Sequence, residues 1–328
     1  MKTQPSPAIE VEGLTKRFGE VQALTGVDFT VGAGELFGFL GPNGAGKTTT
    51  INMLTGLARP DAGSIRIGGI DCVKNPRATQ HLIGVVPDES NLYPELTGFE
   101  NLCFCAALYG IGRAQRRERA RQLLDTFGLA DAADRKFAGY SKGMKRKLTI
   151  AAGIIHAPEI LFLDEPTTGI DVASARRLRQ IVEELHRTGT TVFLTTHYIE
   201  EAQRLCDRIA FIVSGRVVRI DTVADLLQPI QEKYVVRITC ANPLQGIESE
   251  LAAAFAGLDF SIPRNGAIRV ESDAPVRVGP LIRFLEDRGA EVTEARVMRP
   301  SLEDIFVQIT GIEADAMRRE KEKKGGGQ

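Results

Sequence analysis

The sequence predicts an α/β protein: a parallel sheet covered by helices on both faces, with a small antiparallel sheet before it, a helical insertion within it and a small α+β domain after it. Three observations carry this expectation. Short apolar runs at Glu35–Leu40, Ile83–Val86, Ile160–Leu163, Val192–Leu194 and Arg208–Val213 are separated, in the middle of the chain, by helical patterns. Continuous apolar strands between helices indicate a parallel sheet buried on both faces. The first run ends in a glycine-rich loop that opens a helix, and after about Leu227 the pattern changes character.

From Ile9 to Val31 apolar and polar residues alternate loosely, with turn residues at Gly13, Gly19 and Gly26, which reads as a small antiparallel sheet. A helical run, Thr48 to Leu57, follows the glycine-rich loop. The stretch from about Thr97 to Ala157 has helical periodicity and few β-branched residues, and reads as a helical subdomain inserted in the core. It opens on Thr97-Gly98-Phe99-Glu100, a capping box in which Thr97 and Glu100 each satisfy a backbone donor. Beyond Leu227, strands around Tyr234–Thr239, Ala267–Glu271 and Glu291–Val297 alternate with helices around Glu248–Phe255, Val276–Arg288 and Ser301–Thr310. From Glu313 the chain mixes charges and ends in Gly325-Gly326-Gly327, a frayed or disordered tail.

A chain of 328 residues accommodates about two domains at roughly 150 residues each. With 41 Lys plus Arg against 42 Asp plus Glu, the net charge of −1 argues against bare nucleic acid as the main partner. Five scattered cysteines without CxxC spacing build neither a disulfide framework nor a zinc site, and point to the cytosol. The most apolar stretch, Leu148 to Leu163, is broken by His156, Pro158 and Glu159 and is too short to span a bilayer. The N-terminal MKTQPSPAIE lacks an apolar h-region, so the chain is not expected to enter a membrane by itself.

Gly41-Pro42-Asn43-Gly44-Ala45-Gly46-Lys47-Thr48 fits G-x-x-x-x-G-K-[ST] between a strand and a helix. There the glycines turn backbone N–H groups toward a phosphate chain, Lys47 reaches the β and γ phosphates, and Thr48 offers a hydroxyl to Mg2+. The Ile160–Leu163 strand delivers Asp164 and Glu165 at its C-terminal end, where open α/β sheets bind ligands. Asp164 suits the Mg2+ shell and Glu165 suits a general base that polarises water. Ser141 reads as the N-cap of a helix whose first turns crowd Lys142, Lys145, Arg146 and Lys147. Cations there oppose the helix dipole, which makes sense if this helix start receives a phosphate. His197 ends a strand expected beside the Asp164 strand, in reach of a γ phosphate. Phe18, in the N-terminal sheet, is suited to stack on a purine ring. Taken singly, the last three features also read as a solvated basic face, a structural histidine and a core phenylalanine.

In combination, GPNGAGKTT, YSKGM, LFLDEP, TTGID and TTH, in that order over residues 8 to 225, resemble the nucleotide-binding subunit of a bacterial ABC transporter. The resemblance implies a P-loop NTPase ABC cassette, with Walker A at Gly41 to Thr49 and Walker B ending in Asp164-Glu165. It implies a D-loop at Asp171, a switch histidine at His197, an A-loop aromatic at Phe18, and two ATP with Mg2+ held by Thr48 and Asp164. Subunits of this family pair head to tail, Ser141 and Gly143 of one closing over the ATP on the other's Walker A. Lys142 and Met144 depart from the usual signature spelling. Asp88 stands where a glutamine normally links the nucleotide site to the membrane partner, which puts a direct contact of residue 88 with Mg2+ or water in doubt.

YSKGM and the later Pro300-Ser301-Leu302-Glu303-Asp304-Ile305-Phe306 are similar to the drug, antibiotic and sodium export subfamily, in which the permease is a separate polypeptide. The implied organisation is an ATPase domain at 8–227 with a helical subdomain at about 90–157, an accessory α+β domain at 228–311 and a charged flexible tail at 312–328. The implied activity is ATP hydrolysis driving export through that permease, by a homodimer held peripherally at the cytoplasmic face of the inner membrane. No nucleic acid partner is expected. The alternative is a soluble ABC ATPase acting on ribosomes or DNA, although such relatives carry two cassettes or a long coiled coil, and neither is seen here.

Overall fold

The computed structural model describes residues 7–231, 234–242, 246–262, 267–298 and 301–312; the charged tail expected from residue 313 onward lies outside them. Among the described residues the chain forms two compact units, one made of the residues up to Val223 together with Ile309–Ile312 and the other spanning Ala224–Gln308. The break falls between 223 and 224, where the sequence places it between 227 and 228.

Along the first unit run β1 (Ile9–Phe18), β2 (Val21–Val31), β3 (Leu36–Leu40), α1 (Lys47–Leu54), β4 (Ala62–Ile67), β5 (Ile70–Asp71), α2 (Pro76–Gln80) and β6 (Ile83–Val86). There follow α3 (Gly98–Leu108), α4 (Arg113–Thr126), α5 (Lys142–Gly153), β7 (Ile160–Asp164), α6 (Val172–Arg187), β8 (Thr191–Thr196), α7 (Ile199–Leu205), β9 (Arg208–Val213) and β10 (Arg216–Thr222). Of the three expected turn glycines, Gly19 turns the hairpin between β1 and β2. Gly13 and Gly26 lie inside the strands at positive φ, within or beside the irregular stretch of their register. The sheet continues to β4 and β5 in the order β2-β1-β4-β5; β5 has two residues and β4 opens on Ala62-Gly63-Ser64, so neither carries a clear sequence signal.

The second sheet has the order β10-β9-β3-β8-β7-β6. Its five apolar strands are parallel, and β10 pairs antiparallel at the edge. Every residue of β3, β7 and β8 is buried, as a strand covered on both faces requires. Phe37 and Phe39 share one face of β3 by the two-residue strand period. With Phe29 of β2, Phe193 of β8 and Phe162 of β7 they make an aromatic core with neighbouring ring centroids 5.4 to 5.8 Å apart, which joins the two sheets. Strand order matters for function because it sets β3, β8 and β7 side by side, so their C-terminal ends share one edge.

The helical insertion comprises α3, α4 and α5. Its capping box forms as the sequence predicts: Glu100 N–H donates to Thr97 Oγ1 at 3.1 Å and Thr97 N–H to Glu100 Oε2 at 2.8 Å. Tyr140, just before α5, is buried and donates its hydroxyl to the Ala132 carbonyl at 2.6 Å. That hydroxyl lies against Gly98, where an added Cβ would stand 2.1 Å from Tyr140 Oη and 3.0 Å from Cζ. Gly98→Ala is therefore expected to cost about 1–3 kcal/mol by overpacking, and less in a Tyr140→Phe background. Urea denaturation of the two single variants and the double variant measures the coupling; equal costs in both backgrounds would show that the hydroxyl is not the obstacle.

The second unit holds α8 (Val223–Gln231), which starts at the boundary, then β11 (Tyr234–Cys240), α9 (Ile247–Ala254), β12 (Asp259–Ser261), β13 (Ile268–Ser272), α10 (Val278–Glu286), β14 (Val292–Met298) and α11 (Leu302–Thr310). Its antiparallel sheet has the order β12-β13-β11-β14. Alternate residues Val236, Ile238, Ile268 and Val270 pack against Ile247 and Leu251 of α9 and Leu281 and Leu285 of α10. The three-residue β12 is the one strand there that the sequence does not signal. Among the described residues no helix is long and apolar enough to cross a membrane, no three metal-binding side chains cluster, and the five cysteines are free.

Candidate nucleotide site

The loop from Gly41 to Gly46 leaves the C-terminal end of β3 and runs into α1 at Lys47. Gly46 is the N-cap at φ 106°, and a Cβ there would stand 2.6 Å from Leu24 Cδ2 and 2.8 Å from the Ala23 carbonyl, so no other residue fits. The helix begins with no side-chain cap and no acidic residue in its first turn. Its first amides and the positive end of its dipole are therefore suited to an anion. Lys47 is buried; its ammonium donates to the carbonyls of Gly41 at 2.7 Å and Pro42 at 3.1 Å and lies 3.2 Å from Glu165 Oε1.

Asp164 ends β7 and Glu165 follows it, both buried. The Asp164 carboxylate accepts a hydrogen bond from Thr195 of β8, and the Thr48 hydroxyl of α1 lies near enough to favour its charged form. Burial raises its pKa, while Thr195 and Thr48 work in the opposite direction. A buried carboxylate on β7 and an exposed hydroxyl on α1 thus lie close together, a donor set that matches Mg2+, which takes one or two protein oxygens together with substrate phosphates.

Glu165 has a left-handed backbone at φ 48°, unusual for a residue with a long side chain. Its N–H donates to Thr195 Oγ1 at 3.1 Å, Thr168 Oγ1 donates to its Oε2 at 2.8 Å, and His197 Nδ1 bonds the same oxygen. Burial pushes the carboxyl pKa up, but the His197 bond, the Lys47 charge and Thr168 outweigh it and hold the value down to about 2. His197, buried at the end of β8, reaches Glu165 because β7 and β8 are neighbours, the placement that the order of strands in the sequence implies.

Ser141, Gly143 and Asp171 make a second group. Ser141 caps α5, accepting from Met144 N–H at 3.3 Å, and Asp171 caps α6, accepting from Ser174 N–H at 2.8 Å. Gly143 is buried against α6, and a Cβ there would stand 2.5 Å from Ser174 Oγ. Phe18 is 53% exposed at the end of β1, with Lys16 Nζ 5.2 Å from its ring centre. Asp88 follows β6, and its charge raises the pKa of Asp164, so it lies near the site.

The ABC transporter family model matches residues 24–168. The daunorubicin/doxorubicin resistance ATP-binding protein DrrA of Streptomyces peucetius is 41% identical over 318 residues, 96% of each chain. The chain belongs to the ABC transporter family. It is an ATP-binding, ATP-hydrolysing cassette. The linearmycin resistance ATP-binding protein LnrL of Bacillus subtilis is 35% identical, covering 92% of this cassette and 98% of the relative. Among solved structures, an ATP-binding subunit of an ABC transporter aligns with TM-score 0.63 at 32% identity, over 68% of the cassette and 93% of that chain. A dimeric ATP-binding cassette in a post-hydrolysis state with ADP and Pi aligns with TM-score 0.61 at 28% identity, over 66% and 98%.

Two residues of the cassette's site are not evident from motif spelling. Arg146, expected among the cations around a phosphate at the start of α5, is buried and turned inward. It donates to main-chain carbonyls at Asp88, Asp164 and Pro166. The helical period held the signal, because Gly143, Arg146 and Ile150 lie on one buried face of α5. Glu201 of α7 is buried and accepts at Oε2 from Thr167 and Thr196, each at 3.0 Å, tying the segment after Glu165 to the residue before His197. Burial raises its pKa. Motif reading stops at His197, and nothing in it points to a carboxylate four residues on.

Proposed function

We propose that the cassette is the ATPase subunit of an exporter, working as a head-to-tail homodimer around two ATP and driving a separately encoded permease. The observation that supports this most is the buried set of Lys47, Asp164, Glu165 and His197 beneath a bare helix start. It occurs in a chain whose full-length relatives include proteins named for drug resistance. A third relative is named for fluoroquinolone export in Mycobacterium tuberculosis, 38% identical over 92% of the cassette and 93% of its own length.

In this reading Gly41, Pro42, Asn43, Gly44, Ala45, Gly46, Thr48 and Thr49 surround the phosphates and Phe18 stacks on the adenine. Thr48 and Asp164 hold Mg2+, which when bound supplies charge neutralisation to the phosphates. Glu165 takes a proton from the attacking water and His197 orients it. A carboxylate with a pKa of about 2 is a weak base. Lys47 therefore has a second role: when its ammonium turns to the phosphates, Glu165 loses one of the charges that depress its pKa, and its basicity rises. Ser141 and Gly143 close over the ATP of the other subunit, with Asp171 at the same junction. Asp88 couples the site to the permease, which holds the cassette at the cytoplasmic face of the membrane. Residues 8–227 form the ATPase domain, with its helical subdomain at about 90–157, residues 228–311 an accessory domain and 312–328 a tail.

Purification of the tagged cassette from the native cell's membranes tests the assembly. A polytopic membrane protein is expected to copurify, and reconstituting the pair in vesicles is expected to give drug-stimulated ATP hydrolysis that stops in Glu165→Gln. Copurification with ribosomes or DNA, and no membrane protein, would favour the soluble alternative.

A further inference from the structure

We propose that Arg146 is a positioning residue that clamps the backbone on both sides of Glu165 and ties it to the start of α5 and to the loop after β6. The inference rests on the ATPase reading and adds to it a residue that spelling places elsewhere. Arg146 is 5% exposed. Its Nε donates to the Pro166 carbonyl at 2.8 Å and Nη2 to the Asp164 carbonyl at 2.6 Å, the residues immediately before and after Glu165. Nη1 donates to the Asp88 carbonyl at 3.0 Å and to the Pro87 carbonyl. All four acceptors are main-chain oxygens, so the guanidinium holds backbone and not side chains. The two segments follow β6 and β7, which pair in parallel with Val86 opposite Leu163.

A guanidinium is planar and presents its donors in fixed directions. It cannot follow one carbonyl without turning away from the others, so the segments at 87–88 and 164–166 and the first turns of α5 are linked through one rigid group. Burial opposes its charge, and the carboxylates of Asp88, Asp164, Glu201 and Glu165 around it support it. One turn further along α5, Thr149 Oγ1 lies 2.9 Å from Ser90 Oγ, a second grip on the same loop. Glu165 has the left-handed φ of 48°, a conformation that persists only where its surroundings enforce it. Two charge-assisted bonds to its flanking carbonyls are such an enforcement. Glu165 directs its carboxylate at Lys47 and His197 from that backbone, and α5 carries Ser141 and Gly143 at its start. Arg146 therefore connects the hydrolytic carboxylate with the turn proposed to meet the other subunit's ATP.

The test uses the full chain with Arg146→Met, which keeps length and removes the donors, and Arg146→Lys, which keeps the charge but not the fork. ATPase kinetics for Arg146→Met are expected to show KM for ATP within about threefold of the parent and kcat lower by about a hundredfold, the scale of misplacement without lost binding. Arg146→Lys is expected to fall between them, by about tenfold. Hydrogen exchange in the Glu165→Gln background gives a second readout: ATP is expected to protect residues 86–90 and 141–146 in the presence of Arg146, and to lose that effect in Arg146→Met although ATP still binds. Parental kcat in Arg146→Met, or an unchanged exchange response to ATP, would overturn the assignment. Where Arg146→Met does not fold, Arg146→Lys decides it, because one ammonium cannot reach both segments and parental kcat there would equally overturn it. Turnover in the parent, and its loss in Lys47→Ala, checks the ATPase reading separately, so failure of that reading is told apart from failure of the clamp.

Discussion

Glu165→Gln is expected to lower the rate of ATP hydrolysis by about 10²–10⁴-fold, the range for loss of a positioned general base, while ATP stays bound and the loaded protein accumulates as a dimer. The geometry gives both halves of this result. Glutamine keeps the length of the side chain and a carbonyl oxygen that can still accept from Thr168, so the local shape is retained. It removes the negative charge facing Lys47 at 3.2 Å and the oxygen that takes the proton. Freed of that carboxylate, the Lys47 ammonium has more reason to stay on the phosphates, so ATP affinity is expected to hold or rise. Phosphate release measures the first effect and size-exclusion chromatography with ATP the second. Hydrolysis at the parental rate would remove Glu165 from the role of base and leave His197 as the candidate.

Lys47→Ala is expected to abolish turnover and to weaken ATP binding by about 10–100-fold, the equivalent of one or two charge-assisted hydrogen bonds. It also leaves Glu165 buried without the cation beside it. Removing one partner of a buried pair costs about 3–5 kcal/mol when nothing replaces it; here His197 and Thr168 still contact the carboxylate, so the loss should be smaller. The carboxyl pKa should rise from its low value toward the ordinary range, since burial is then opposed by fewer groups. Nucleotide titration and thermal denaturation of the variant separate the two effects. Unaltered turnover would show that the loop at Gly41–Thr49 does not hold the reacting phosphate.

The features read best from the sequence are those in which a local pattern and its consequence lie within a few residues. The capping box at Thr97 and Glu100, the N-cap at Ser141 and the apolar strands at Ile83, Ile160 and Val192 are of this kind. The adjacency of His197 and Glu165 was also within reach, because neighbouring parallel strands put their C-terminal ends together. Arg146 was grouped with the cations around a phosphate, because counting charge along a helix start gives every cation the same task, whereas the period of α5 turns this one toward Pro166 and Asp164. β4, β5 and β12 were missed for a different reason: β5 and β12 are two and three residues long, β4 opens on the turn-like Ala62-Gly63-Ser64, and the identity of each as a strand comes from the partner it pairs with.

The backbone of Glu165 sets two demands that no single side chain meets. Chemistry asks for a carboxylate on two methylenes, long enough to face His197 and Lys47, whereas a φ of 48° favours glycine, asparagine or aspartate. Holding a long side chain there costs of the order of 1–3 kcal/mol in a native state whose whole margin is small. Position 165 is thus a place where backbone strain is tolerated for the sake of a side chain's reach. Glycine at this position would relieve the backbone but leave Lys47 buried without its carboxylate, so the pair that serves catalysis is also what makes the strained glutamate tolerable.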